Sequence, residues 1–119
     1  RNRSIRALFK HPPFHTGAHP IGRFAAIVAE CDAIISGDTT AMHVALAVKT
    51  PVVAYFGSTC SAEIEMYGRG RKIVSTLPCA PCYKRVCPIE ETEKCMKEIS
   101  PEMLFGEVKG LLRDAGRLP

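Results

Sequence analysis

The run Ser36-Gly37-Asp38-Thr39-Thr40-Ala41-Met42-His43 brings a carboxylate, hydroxyls and an imidazole together where an apolar segment ends. That segment, Ala33-Ile34-Ile35, stops at small residues and Asp38, and two residues able to cap a helix follow. The order places Asp38 at the carboxyl end of a strand, beside the free N–H groups of the next helix. A helix start attracts anions, because its first N–H groups lack intrahelical partners and its dipole is positive there. In open α/β sheets, ligands bind in the crevice outside the carboxyl ends of the strands. A second turn of the same design, Gly57-Ser58-Thr59, closes the next apolar segment, Val52 to Phe56. Two such turns on successive strands can face one ligand.

A different chemistry is offered by Cys79-x2-Cys82-x4-Cys87-x7-Cys95. Four thiolates at this spacing suit a tetrahedral metal site, zinc first, since no redox partner is in view. Pro78, Pro81 and Pro88 stiffen the segment. The spacing differs from the paired CxxC of zinc ribbons, and disulfides are the second reading, disfavoured in a cytosolic setting. Cys31 and Cys60 stand apart and read as small buried apolar residues. A cysteine nucleophile at Cys60 or Cys87 ranks last, for want of a histidine partner in the sequence nearby.

The elements that must position these groups follow from periodicity. Ile5, Leu8 and Phe9 have helical spacing over Ser4–Lys10, ended by Pro12-Pro13. Phe14-His15-Thr16 reads as a short strand, Arg23–Glu30 as a helix, Ala33–Ser36 as a strand and Met42–Val48 as a helix. Val52–Phe56 is a strand, Ser61 caps a short helix running to Met66, and Lys72–Ser75 is a further strand after the turn at Gly68-Arg69-Gly70. Beyond the cysteine-rich insert, Ser100-Pro101-Glu102 starts a helix that runs to about Ala115. Gly106 and Gly110 weaken that helix, so close packing against another element is expected. Strands alternating with helices, with nearly continuous apolar strands, predict a parallel sheet covered on both faces. About four strands are expected, fewer than a complete doubly wound domain usually has.

The chain has 119 residues and a formal charge of +4, from 16 Lys and Arg against 12 Asp and Glu. That length predicts one domain, and no apolar run approaches the roughly 20 residues a membrane helix needs. The charge suits an anionic small ligand or an anionic membrane surface. Aromatics are 7% of the chain and do not interleave with the basic residues, which argues against a nucleic-acid stacking platform. A basic patch is expected at Arg69, Arg71 and Lys72, with Lys84 and Arg85 nearby. No secretory signal is visible, and the start at Arg1 rather than Met suggests a fragment or processed product.

Both turns together give Asp38-Thr39-Thr40-Ala41-Met42-His43-Val44-Ala45 and Thr50-Pro51-Val52-Val53-Ala54-Tyr55-Phe56-Gly57, followed by Cys79, Cys82, Cys87 and Cys95-Met96. Over Ala25–Ile99 this series resembles glycosyltransferase family 9, the ADP-heptose:lipopolysaccharide heptosyltransferases. Thr40 stands where many members carry Gly, and Ser58 where they carry Pro. The resemblance implies an α/β fold, a partial doubly wound Rossmann-like parallel sheet with a Cys-rich loop and a C-terminal helix. Residues 1–119 would belong to the C-terminal sugar-nucleotide-binding domain of a GT-B glycosyltransferase, with 76–99 as the Cys-rich loop and the N-terminal acceptor domain absent. It further implies an inverting transfer of heptose, or another sugar, from an ADP-sugar to a lipopolysaccharide core acceptor held by the missing domain. No cofactor would be needed for catalysis, and a structural zinc remains open. The setting implied is cytoplasmic, at the cytoplasmic face of the inner membrane, with peripheral membrane contact and no nucleic acid. The alternative is a small binding or scaffold module, stapled by a metal on the four clustered cysteines and without catalysis.

On that resemblance no catalytic base lies within this chain. Asp38 would accept hydrogen bonds from sugar hydroxyls, where a carboxylate bonds about twice as strongly as a neutral acceptor; plain helix capping is the competing role. Thr39, Thr40 and Ala41 would offer N–H groups and hydroxyls to the diphosphate. Met42 would pack against the nucleotide base, or otherwise fill the core. His43 would stabilise the leaving group, or else sit half-buried against a carbonyl. Gly57, Ser58 and Thr59 form the second turn, and Glu63 would orient a ribose or sugar hydroxyl or merely open a helix. Arg69 and Arg71 would either neutralise a phosphate or form a solvated face.

Overall fold

The computed structural model describes residues 9–11, 13–89 and 93–119. Its elements are α1 (Ile21–Ala29), β1 (Ile34–Gly37), α2 (Thr40–Ala47), β2 (Val52–Phe56), a 3-10 turn (Ser61–Glu63), β3 (Gly70–Val74), α3 (Lys94–Lys97) and α4 (Pro101–Asp114). The three strands form one parallel sheet in the order β1-β2-β3. Ile34 pairs with Val52 and Gly37 with Tyr55, while Val52 pairs with Gly70 and Phe56 with Val74. Crossovers through α2 and through the 3-10 turn carry the chain back between parallel neighbours, as parallel pairing requires.

β2 is the centre of the molecule. Val52, Val53 and Ala54 have no exposed surface and Phe56 has 1%. Alternate residues point to opposite faces, and each face meets its own core. Val52, Ala54 and Phe56 pack with Val28 of α1, with Met42, Ala45 and Leu46 of α2, and with Met66. Val53 on the other face packs with Ile73, Ile99 and Leu111, bordered by Tyr55, Leu104 and Val108. Helices therefore cover both faces, which is why β2 is apolar without interruption.

The helix ends have identifiable causes. At α2, Lys49 takes a left-handed φ of 65° and the Thr50 N–H returns to the Ala45 carbonyl at 2.9 Å, stopping the helix. The buried Thr50 hydroxyl then donates to the Val28 carbonyl at 2.9 Å, tying the end of α1 to the start of β2. At α4, Ser100 accepts from the Met103 N–H at 3.2 Å and Pro101 occupies the first turn. Glu102's own N–H and the Ser100 hydroxyl hold its carboxyl below the usual carboxylate range.

Several expectations are corrected here. Phe14-His15-Thr16 is not a strand, and the sheet has three strands among the described residues. The three strands of the sheet pair with one another, and none of them pairs with residues 14–16. The helix expected from Ser61 to Met66 is only a 3-10 turn, because Ile64 is already extended, with φ −105° and ψ 117°. The helix expected over Ser4–Lys10 falls largely outside the described residues. Cys31 and Cys60 are half-buried, and the Cys31 thiol donates to the Ile27 carbonyl at 3.4 Å.

The two glycines of α4 have different reasons. Arg71 crosses from β3 to Glu107 at 2.8 Å and to Asp114 at 2.6 Å, passing over Gly110. A Cβ at Gly110 would stand 2.5 Å from Arg71 Nη1, whereas one at Gly106 would meet nothing within 4 Å. Replacing an exposed helical Gly by Ala is worth about 1 kcal/mol. Gly106→Ala should therefore raise the melting temperature. Gly110→Ala should leave it flat or lower it, since the guanidinium must shift from the place over the glycine in which it meets both carboxylates. Thermal melts of the two variants check the contrast, and equal gains would refute the role given to Arg71.

Candidate functional site at the carboxyl edge of the sheet

The parallel register sets the site's geometry. Gly37 is level with Tyr55, so the residues that follow, Asp38 after β1 and Gly57 after β2, leave the same edge of adjacent strands. Adjacent strands lie about 4.8 Å apart. The two turns predicted from the sequence are thus neighbours on one rim.

Ser36 is buried at the base of the first turn. Its hydroxyl donates to the Gly37 carbonyl at 2.9 Å and lies 2.9 Å from the Thr39 hydroxyl. With its only proton committed, Ser36 accepts from Thr39. Thr39 is the N-cap of α2, yet its side chain makes no capping hydrogen bond. The first intrahelical bond runs from the Met42 N–H to the Thr39 carbonyl at 3.0 Å, so the N–H groups of Thr40 and Ala41 precede the helix's own bonding. Asp38 does not cap them either. The contact it makes is with His43, whose Nε2 stands 3.8 Å from Asp38 Oδ1, with a quarter of the Asp38 side chain exposed. The result is an uncapped, electropositive helix start flanked by an acid and an imidazole.

Met42 is not at the surface. It has no exposed area and belongs to the core on the α1 and α2 side of the sheet, which corrects the expected contact with a nucleotide base. In α2 the residues at 42, 45 and 46 face inward, and a side chain fully enclosed there presents nothing to a ligand.

His43 and Glu63 do meet in one space. Both line a cavity of about 560 Å³ between α2 and the β2–β3 connection, together with Lys49, Tyr67 and Arg69. That volume lies within the range usual for small-molecule sites. Glu63 Oε1 accepts from the Tyr83 hydroxyl at 2.7 Å. Donation to Glu63, with Cys60 beside it, pushes the Tyr83 phenol up well beyond its ordinary range. The expected basic patch is divided by the pleat of β3. Arg71 goes to α4, Lys72 turns to the opposite face and donates to the carbonyls of Ser61 and Ile64, and Arg69 borders the cavity.

The second turn is braced from the cysteine segment. The Tyr83 N–H donates to the Ser58 carbonyl at 2.8 Å. A Cβ on Gly57 would lie 2.6 Å from Met96 Sδ and 3.0 Å from Cys95 Sγ, so Gly57 is small because α3 rests on it. Glu98 fixes the far end of α3, accepting from the Ser75 hydroxyl at 2.5 Å and the Thr76 N–H at 3.0 Å. Cys79, Cys82, Cys87 and Cys95 line a second cavity, of about 220 Å³. Burial, then the neighbouring sulfurs of Cys79, Cys82 and Cys87, push the Cys95 thiol up, whereas backbone N–H groups of Glu93 and Ile89 draw that of Cys87 down.

Sequence reasoning missed Tyr83 and Glu98. Their side chains act on Glu63, 20 residues away, and on Ser75, 23 residues away, and neither carries a local motif.

A three-stranded parallel sheet with helices on both faces and its turns gathered at the carboxyl edge is consistent with a partial Rossmann-like fold. The profile of glycosyltransferase family 9 (heptosyltransferase) matches residues 16–93, and the chain belongs to that family. It is 33% identical over 90 residues to lipooligosaccharide heptosyltransferase 2 of Campylobacter jejuni serotype O:2, covering 74% of this chain and 28% of that protein. The corresponding protein of serotype O:6 is 35% identical over 86 residues, covering 71% of this chain and 27% of that protein. Lipopolysaccharide heptosyltransferase 1 of Pseudomonas aeruginosa is 28% identical over 102 residues, covering 74% of this chain and 29% of that protein. The chain thus spans less than a third of the length of these relatives. No solved structure matches it. Among the described residues, no helix is long and apolar enough to cross a membrane.

The contact between Gly57 and α3 is open to test. Gly57→Ala should cost about 1–3 kcal/mol by overpacking. Combined with Met96→Ala, part of that loss should return, with a coupling of about 0.5 kcal/mol or more. Denaturant melts of the single and double variants measure it, and strict additivity would show that Met96 is not what the glycine accommodates.

Proposed function

We propose that this chain is the donor-binding part of an inverting glycosyltransferase that moves heptose from an ADP-sugar to a lipopolysaccharide core acceptor. The observation that carries the reading is the uncapped start of α2. Thr39 bonds back to Ser36, Asp38 stands aside near His43, and the N–H groups of Thr40 and Ala41 are left for a ligand. Family membership supports sugar transfer as the use of that arrangement, and the relatives' names supply heptose and the lipopolysaccharide acceptor. A non-catalytic metal-stapled scaffold is not favoured by those relatives.

In this reading the diphosphate sits at the N-terminus of α2. Its charge meets two amide donors and the positive end of the helix dipole. Asp38 accepts hydrogen bonds from hydroxyls of the sugar, holding the ring so that the face of the anomeric carbon opposite the leaving diphosphate is open to the acceptor hydroxyl. His43 offers an N–H to the phosphate oxygen as its charge grows on bond cleavage. Ser58 and Thr59 complete the rim, and Glu63, held by Tyr83, faces the cavity beside His43. The acceptor site and the carboxylate that activates the acceptor hydroxyl lie in a facing domain, giving the GT-B arrangement. The enzyme works at the cytoplasmic face of the inner membrane, with peripheral contact to it. Rate enhancement comes from positioning and from stabilising the departing charge.

Two variants separate the roles by calorimetric titration of the full-length enzyme with ADP and with ADP-heptose. Asp38→Ala should weaken ADP-heptose roughly tenfold to a hundredfold, the scale of a hydrogen bond to a charged group, while leaving ADP nearly unchanged. Thr40→Pro should weaken both ligands. Proline is tolerated at the first helical position and simply removes the amide donor, and Thr39 already has the extended backbone a following proline demands, with φ −146° and ψ 169°. Unaltered affinity and turnover in both variants would remove α2 from the donor site.

A further inference from the structure

The cysteine cavity is unexplained by sugar transfer. Its four thiols come from the segment after β3 and from α3, yet they surround a single space walled by Pro88 and Ile89. Among the described residues no three Cys, His, Asp or Glu side chains are gathered closely enough to hold a metal as they stand. The sulfurs ring the cavity without meeting in it.

We infer that Cys79, Cys82, Cys87 and Cys95 are the ligands of a tetrahedral tetrathiolate zinc site, formed when the metal draws them into the cavity they already line. Four soft sulfur donors around an apolar space match zinc's preference for closed structural sites. A thiolate site is rarely formed ahead of its metal, because closing it is part of the binding free energy. Lys84 and Lys94 line the same cavity, placing positive charge beside a cluster that becomes anionic when it binds metal. On binding, each thiol transfers its proton to solvent and four Zn–S bonds form, with no change of oxidation state.

The staple would lock α3 and thereby hold Met96 and Cys95 on Gly57. That mechanical role touches the donor rim, but the metal site stands or falls on its own readout. Full-length enzyme freed of metal under reducing conditions is titrated with Co²⁺, with its visible spectrum recorded. The expected result is one equivalent bound, with the intense ligand-field bands and sulfur charge transfer of a tetrahedral cobalt thiolate, bleached by added Zn²⁺. Cys79→Ser, Cys87→Ser and Cys95→Ser should each lose tight binding. Cys31→Ser, whose thiol bonds to Ile27 of α1, should keep it. Should the serine variants misfold, Cys82→His, which retains a zinc-binding side chain, should shift the cobalt bands and not abolish them. The inference is overturned by a wild-type enzyme without thiolate bands, by bands unchanged in the serine variants, or by peptide mapping of enzyme purified without reductant that finds these cysteines paired as disulfides.

Discussion

β2 has no face to give to water. Both of its ladders are paired and both of its surfaces are enclosed, so Val52–Phe56 is fixed by two cores at once. Fully burying side chains of this kind contributes about 1.5–3 kcal/mol each. A register slip by one residue would exchange the two faces and misplace every one of them. Because the register of β1 on β2 cannot drift, neither can the levels at which the two strands end. The closeness of the Asp38 and Gly57 turns is a consequence of packing several residues away.

Above that fixed edge, local chemistry departs from what stability alone would select. An N-cap threonine ordinarily bonds to a helix N–H, and a working cap is worth about 1 kcal/mol. Thr39 instead turns its hydroxyl to Ser36, whose own proton goes to the Gly37 carbonyl. The buried Ser36 is the reason. A hydroxyl out of contact with water must satisfy its lone pairs within the protein, and Thr39 is the donor in reach. Departures of this kind from local rules gather at functional sites. Here the departure leaves amide donors free at the one helix start that sits between Asp38 and the second turn.

Much of the fold was legible because it is dictated locally. The span Val52–Phe56 agrees with the apolar run, and Ser100-Pro101-Glu102 marks the start of α4 by capping chemistry alone. The misses share a cause. Met42 was ambiguous because α2 is apolar on most of its circumference, and only the core's position decides which residues are enclosed. Arg69, Arg71 and Lys72 looked like one basic patch, but strand pleating sends the neighbours Arg71 and Lys72 to opposite faces. Tyr83 and Glu63 are 20 residues apart, and Arg71 lies 36 and 43 residues from its two carboxylates. No periodicity reports pairs at that range.

Gly57 shows how a correct location can conceal the reason for a residue. A glycine at a strand-end turn is naturally taken to admit a ligand to the backbone, and the turn does stand on the rim. The side on which a Cβ would project is nevertheless occupied by Met96 and Cys95. What the missing methyl admits is α3. With the Tyr83 N–H on the Ser58 carbonyl and its hydroxyl on Glu63, three successive features of the rim are held from one direction. The first turn is rigid through burial of Ser36 and the second through contact with the cysteine segment. Whatever shapes that segment therefore also shapes half of the rim.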